Sequence, residues 1–84
     1  MSKKEKHNVV IAFNLKEFRK NKKWTQYEVS DELYKRGYKI SRDSYAQLET
    51  GTRNIPVGLL VKLRELYDID SYDEFFLDGN NDLI

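Results

Sequence analysis

The sequence predicts a compact all-α domain of five short helices. Apolar residues recur at helical spacing between the turn signals, and no segment alternates apolar and polar residues as a strand does. Ser and Thr residues stand where helices would begin, and Gly residues stand where two of them would end. A chain of 84 residues has room for one domain with one hydrophobic core.

The first helix is expected from about Val9 to Asn21. Ile11, Leu15 and Phe18 fall at i, i+4 and i+7, so they share one face of that helix.

A second helix is expected to begin after Thr25. Thr25 and Glu28 have the spacing of a capping box, in which each side chain bonds to the backbone of the other residue. Val29 and Leu33 would face the core. Gly37 is expected to end this helix in the left-handed conformation.

Ser41 is expected to cap a third helix that runs to about Thr50, where Gly51 stops it. At about 100° per residue, Tyr45 and Leu48 point to one side of this helix. The polar or small residues of the opposite side are Asp43, Ala46, Gln47 and Thr50, with Arg42 on the flank.

Two further helices complete the prediction. Pro56 is expected at the first position of the fourth helix, where its missing N–H costs nothing. The residues expected to bury this helix are Leu59, Leu60, Leu63, Leu66 and Tyr67. Asp70 or Ser71 would cap a short fifth helix that carries Tyr72, Phe75 and Phe76.

Composition excludes several functional classes. Cys is absent and the single His is His7, so disulfides, thiolate metal sites and His-based catalysis lack the residues they need. We therefore expect no enzyme, metal or cofactor. No apolar run reaches the roughly 20 residues of a membrane span, and no apolar signal core follows the basic leader Met1–Asn8. A cytoplasmic protein is expected.

Charge divides the chain into two unequal parts. Residues 1–53 hold thirteen Lys and Arg against seven Asp and Glu, whereas residues 54–84 hold two against seven. This division is typical of a protein with one face for a polyanion. An ordinary solvated surface with uneven charge is the alternative.

The second and third helices, joined by a brief turn with a glycine, have the form of a helix-turn-helix. The residues expected to hold them together are Val29, Leu33, Ile40, Tyr45 and Leu48. The polar face of the third helix is then free to enter a DNA major groove about 12 Å wide.

At this point the chain resembles a known family. The residues that carry the resemblance are Thr25-Gln26, the run Ser41 to Gly51, Arg53-Asn54 and Pro56. They are similar to the Xre-like family, which contains the Cro and repressor proteins of lambdoid phages. The resemblance covers about residues 9–77 and implies a lambda-repressor-like domain over residues 9–78. A flexible basic arm would precede it at residues 1–8, and a short tail would follow at 79–84.

The resemblance also implies roles for individual residues. The positions that would face base edges are Arg42, Asp43, Ser44 and Gln47. Those that would contact the DNA backbone are Gln26, Arg53 and Asn54. Lys39 flanks the turn before the third helix, and its position there suggests a further backbone contact. Arg19 and Glu49 would form an internal ion pair between the first and third helices. Tyr45 and Trp24 match core positions.

Alternatives stay open at several of these positions. Arg42 would bind guanine through two hydrogen bonds or else contact a phosphate. Asp43 would accept a hydrogen bond from cytosine, or else its negative charge would only interact favourably with the N-terminal end of the helix dipole. Gln47 would bind adenine directly or else have a water-bridged or solvated role. Val9 and Phe13, opposite the apolar face of the first helix, would be covered by the fifth helix or join a partner surface.

These observations predict a sequence-specific, double-stranded DNA-binding transcriptional regulator, acting as a repressor. A homodimer on a near-palindromic operator is expected, because one recognition helix reads few base pairs. The dimer surface would use the fourth and fifth helices with Leu77, Leu83 and Ile84. The alternative is a protein-interaction module with the same fold, such as an antitoxin-like partner.

Overall fold

A computed structural model describes residues 6–77 of the chain. These residues form four α-helices and one 3-10 helix. The α-helices are α1 (Lys6–Asn21), α2 (Gln26–Lys35), α3 (Arg42–Thr50) and α4 (Val57–Leu66), and the 3-10 helix is Tyr72–Phe75. The all-α prediction is confirmed. The predicted tail at 79–84, and with it Leu83 and Ile84, lies outside the described residues.

Helix α1 begins at Lys6 rather than near Val9, so residues 6–8 of the predicted arm are helical. Neither Gly nor Pro interrupts this stretch. The turn around Asn8 is also held from outside the helix, because the Asn8 side-chain amide donates a hydrogen bond to Asn54.

The predicted cap of α2 is confirmed. The Thr25 hydroxyl accepts a hydrogen bond from the Glu28 amide, and the Glu28 carboxylate accepts one from the Thr25 amide. At the other end, Gly37 has a φ of 87°. The amides of Gly37 and Tyr38 donate to the carbonyls of Tyr34 and Leu33, which is a Schellman motif.

The predicted boundaries of α3 are also confirmed. Ser41 caps its N-terminus by accepting a hydrogen bond from the Ser44 amide. Gly51 ends it with a φ of 76°. A Cβ atom at Gly51 would lie 3.3 Å from the Cα of Val9. Glycine is therefore required here both for the left-handed turn and for the close approach of α1.

The start of α4 differs from the prediction by one position. Pro56 is the N-cap, with extended backbone angles, and the first helical residue is Val57. The fixed φ of proline suits both positions, so the sequence alone could not separate them.

The predicted fifth α-helix is wrong: it is a 3-10 helix of four residues, and Phe76 lies after it. Ser71 and Glu74 form its capping box. The Asn14 amide of α1 donates to the carbonyls of Phe75 and Leu77 at 2.8 and 2.9 Å. These carbonyls are thus satisfied without further helical turns, and a longer helix has little to gain.

One hydrophobic core joins the helices. Its fully buried side chains include Leu15, Val29, Leu33, Leu48, Leu59, Leu63 and Phe75. Phe18 packs on its edge, with its ring 5.7 Å from that of Phe75 and 5.8 Å from that of Tyr67. Trp24 also packs against the core, as its matching position implied.

The 3-10 helix, which stands where the fifth helix was expected, does not cover Val9 and Phe13, so that one of the two alternatives is wrong. Their exposed fractions are 45% and 58%. The 3-10 helix instead contacts Asn14 and Phe18, which lie on another side of α1. The two apolar side chains therefore remain on the surface.

A buried polar network connects α1, α2 and α3. Arg19 donates from Nε and Nη2 to the two carboxylate oxygens of Glu49, at 2.8 and 3.0 Å. Gln26 donates to the same carboxylate at 3.1 Å, and Arg19 also donates to the Trp24 carbonyl at 2.9 Å. The Glu49 side chain is only 1% exposed. Its charge is thus compensated by partners from two other helices.

Tyr45 extends this network into the core. Its side chain is fully buried, and its hydroxyl oxygen lies 2.6 Å from that of Tyr67. Burial and the neighbouring Tyr67 raise the pKa of the Tyr45 hydroxyl well above its usual value. Burial raises the pKa of the Tyr67 hydroxyl as well, so both hydroxyls are protonated at neutral pH and they hydrogen-bond to each other.

Two opposing effects act on the pKa of Glu49. Burial raises this pKa, but hydrogen bonds from Arg19, Tyr45 and Gln26 outweigh burial and hold the pKa below its usual value. The carboxylate is therefore charged in the folded protein, and its contribution to stability is lost as the pH falls through its lowered pKa.

We predict that Arg19→Ala lowers the free energy of unfolding by about 2–4 kcal/mol, because it leaves the buried Glu49 carboxylate without its charged partner. Urea unfolding of the full chain measures this change. The double variant Arg19→Ala/Glu49→Gln should recover part of the loss.

Lys22→Ala is the matched control for this measurement. It removes a cation that contacts Asp68 at 2.6 Å in a partly exposed pair, whose side chains are 33% and 77% exposed. Exposed pairs contribute about 0–1 kcal/mol. If the losses in unfolding free energy from Arg19→Ala and Glu49→Gln simply add in the double variant, the two residues do not stabilise each other.

Candidate nucleic-acid interface

The outward face of α3 carries the side chains predicted to face base edges. Arg42, Asp43 and Gln47 are exposed, and Ser44 is half-buried. The inward face buries Tyr45, Leu48 and Glu49. The division of α3 into a polar and a buried face thus follows the helical spacing read from the sequence.

Arg42 and Asp43 form an ion pair across the N-terminal turn of α3. The distance from Arg42 Nη2 to Asp43 Oδ1 is 3.1 Å, and the side chains are 54% and 84% exposed. A pair this exposed contributes at most about 1 kcal/mol. Each side chain can therefore leave its partner for a ligand at little cost.

The predicted backbone-contacting residues lie around α3 rather than on it. Gln26 is the first residue of α2 and is half-buried, while Lys39 is exposed in the turn before α3. Arg53 and Asn54 are exposed in the loop after α3. Gln26 is bonded to Glu49 and Asn54 to Asn8, whereas Lys39 and Arg53 extend into solvent.

Two threonines fix the loop that carries Arg53. The hydroxyl of Thr50 donates to the Gln47 carbonyl at 2.9 Å and lies 2.8 Å from the Thr52 hydroxyl. The Thr52 amide donates to the same carbonyl at 3.3 Å. These bonds hold the chain directly before Arg53 against the end of α3. These bonds were not predicted, although hydroxyl residues on both sides of a helix-ending glycine indicate them in the sequence.

An open groove of about 620 Å³ lies beside the N-terminus of α2. The basic residues that line it are Lys16, Arg19 and Lys20 of α1 and Arg42 of α3. Gln26 and Tyr27 of α2 form another part of its wall. The groove thus joins the start of the outward face of α3 to the exposed side of α1.

Lys16 and Lys20 were not among the predicted site residues. The available signal was their i, i+4 spacing on the side of α1 opposite Ile11 and Leu15, which places both on one face.

The described residues provide no cluster of His, Asp and Glu suited to hold a metal ion. Over the same part of the chain, no helix has the length and hydropathy that crossing a bilayer requires.

Among protein-family models, a helix-turn-helix model matches residues 15–73, which is well over half of the chain. Comparisons with curated proteins and with solved structures gave no match. The matched segment runs from the middle of α1 into the 3-10 helix and includes all of α2 and α3. Proteins of this family are DNA-binding regulators, and the chain belongs to the Xre/lambda-repressor-like helix-turn-helix family.

Proposed function

We propose that the protein is a sequence-specific regulator that binds double-stranded DNA by inserting α3 into the major groove. The observation that carries the proposal is the exposed polar face of α3, backed by the buried Arg19–Glu49 pair. A helix about 10–12 Å across fits a groove about 12 Å wide.

The residue types on this face suit base recognition. Arginine can donate two hydrogen bonds to guanine, and glutamine can both donate to and accept from adenine. Arg42 and Gln47 are both exposed, with Gln47 on the outward side of α3 and Arg42 on its flank. We assign them to base edges, with Asp43 and Ser44 beside them.

Backbone contacts would set the register of α3. We assign them to Gln26 at the start of α2, to Lys39 in the turn, and to Arg53 and Asn54 in the loop. Repression would follow from occupation of the operator, without catalysis.

Selection of binding sites from a random duplex pool tests the proposal. A single enriched motif is expected. Gel shifts with the enriched duplex at two salt concentrations should then show a steep loss of affinity at the higher one, because phosphate contacts release counterions. Failure to enrich any motif would contradict sequence-specific binding.

A second candidate function is a protein-interaction module of the antitoxin type. The observation in its favour is the exposure of Val9 and Phe13 on α1. The same gel shift separates the candidates, since a module that binds only protein shifts no duplex at either salt concentration.

For base recognition, we predict that Arg42→Ala and Gln47→Ala each relax base preference at one operator position. Each should weaken binding to the best site by about 1–3 kcal/mol, with a smaller loss on random DNA. Fluorescence anisotropy on the best site and on single-base variants measures both effects. Equal losses of affinity on every sequence would show that the two residues contact the DNA backbone instead of the bases.

For backbone contact, we predict that Arg53→Ala weakens binding to all sequences alike. The slope of log affinity against log salt should fall by about one, as expected for one lost phosphate contact. Arg36→Ala is the control, because Arg36 is already paired with Glu32 at 2.8 Å. An unchanged slope for Arg53→Ala would contradict the assignment.

We also propose that two copies bind a near-palindromic operator. Val57 and Val61 lie one turn apart on α4, with exposed fractions of 77% and 38%. They supply apolar groups in the acidic second part of the chain, where the dimer surface is expected.

For the dimer, we predict that Val57→Glu/Val61→Glu reduces affinity for a full palindrome toward that for one half-site. Sedimentation on the palindrome should change from two chains of 10.0 kDa per duplex to one. Val9→Glu, an exposed valine on α1, is the control. Unchanged two-chain binding by the α4 variant would show that the dimer uses another surface.

A further inference from the structure

The groove beside α2 contains basic side chains that the proposed base and backbone contacts do not use. Lys16 and Lys20 lie one turn apart on the exposed side of α1, and both line the groove. Arg42 lines the groove as well. A DNA strand that passes the N-terminal end of α3 and continues along the groove would therefore reach these two lysines.

Both lysines are available to bind an anion. Lys16 has no ion pair within residues 6–77, and the nearest carboxylate oxygen to the Lys20 ammonium belongs to Glu17, at 3.9 Å. The Lys20 side chain is 59% exposed. Among the residues that the structure describes, no Asp or Glu lines the groove. By contrast, Arg19 is already engaged by Glu49 and the Trp24 carbonyl.

The opposite wall of the groove offers neutral donors. The Thr25 hydroxyl caps the amide of Glu28, so the amides of Gln26 and Tyr27 at the start of α2 are not used by that cap. Tyr27 is 67% exposed, and its phenol can donate a hydrogen bond. The groove therefore has lysine ammonium groups on one wall and neutral hydrogen-bond donors on the other, an arrangement that suits a phosphodiester backbone.

We propose that Lys16 and Lys20 bind operator phosphates outside the base pairs that α3 reads. This inference rests on the proposed DNA-binding function and extends its footprint along α1. The lysines would add affinity on every sequence and leave base preference unchanged, because phosphates carry no sequence information directly.

The test compares Lys16→Gln/Lys20→Gln with the wild-type full chain on the selected duplex across a salt series. We expect the slope of log affinity against log salt to fall by about one to two, at about 0.9 per lost phosphate contact. The ranking of single-base variants of the site should stay the same. Both lysines are exposed, so the thermal melt should not change.

The matched control is Lys22→Gln/Lys35→Gln, which removes the same charge. Lys22 lies 2.6 Å from a carboxylate oxygen of Asp68, and Lys35 lies 3.3 Å from carboxylate oxygens of Asp31 and Glu32. This control should keep the wild-type slope. An equal fall in both variants would indicate a general charge effect and overturn the inference.

A second arm locates the contact on the DNA. Uncharged methylphosphonates are placed one at a time along both flanks of the site. At one or two positions the substitution should weaken binding of the wild-type protein and leave binding of Lys16→Gln/Lys20→Gln unchanged. Equal sensitivity of both proteins at every position would overturn the inference. A wild-type chain that binds no duplex would instead contradict the proposed function itself.

Discussion

The buried carboxylate of Glu49 is the constraint on which the arrangement of the helices depends. A buried charge is costly unless it is paired and hydrogen-bonded. Glu49 meets this requirement only when α1 brings Arg19 and α2 brings Gln26 to the same side of α3. Such a pair need not add net stability over an apolar core. Its clearer effect is on orientation, because bidentate hydrogen bonds have a direction and apolar contacts do not.

The orientation of a short helix is poorly defined when packing alone holds it. Helix α3 has nine residues, and only Tyr45, Leu48 and Glu49 are buried. Two apolar side chains would tolerate a small rotation about the helix axis. Hydrogen bonds at Glu49 and the contact between the hydroxyls of Tyr45 and Tyr67 resist that rotation. The direction of the outward side chains is thus determined from inside the core.

Features set by neighbouring residues could be predicted from the sequence, and features set by distant ones could not. Thr25, Ser41 and Gly51 act within a few residues of their own position, so their roles follow from spacing. The 3-10 helix depends on the Asn14 amide, more than fifty residues earlier in the chain. The exposure of Phe13 has the same origin, because the side of α1 that Asn14 occupies decides where the C-terminal segment packs. The exposed and buried positions of α3 could be predicted because α3 is regular, whereas the groove lined by Lys16 and Lys20 required knowledge of how α1 lies beside α2.

Glu49 also joins the two kinds of DNA contact proposed for the protein. Gln26, assigned to the DNA backbone, donates a hydrogen bond to this carboxylate, and α3, assigned to the bases, carries it. Phosphate contacts fix the register of a protein on DNA, while base contacts specify the sequence. On the proposed assignments, this link would let a phosphate held at the start of α2 fix where Arg42 and Gln47 meet the base pairs. Removal of Glu49 would therefore affect recognition through geometry, although its side chain is too deeply buried to touch the DNA itself.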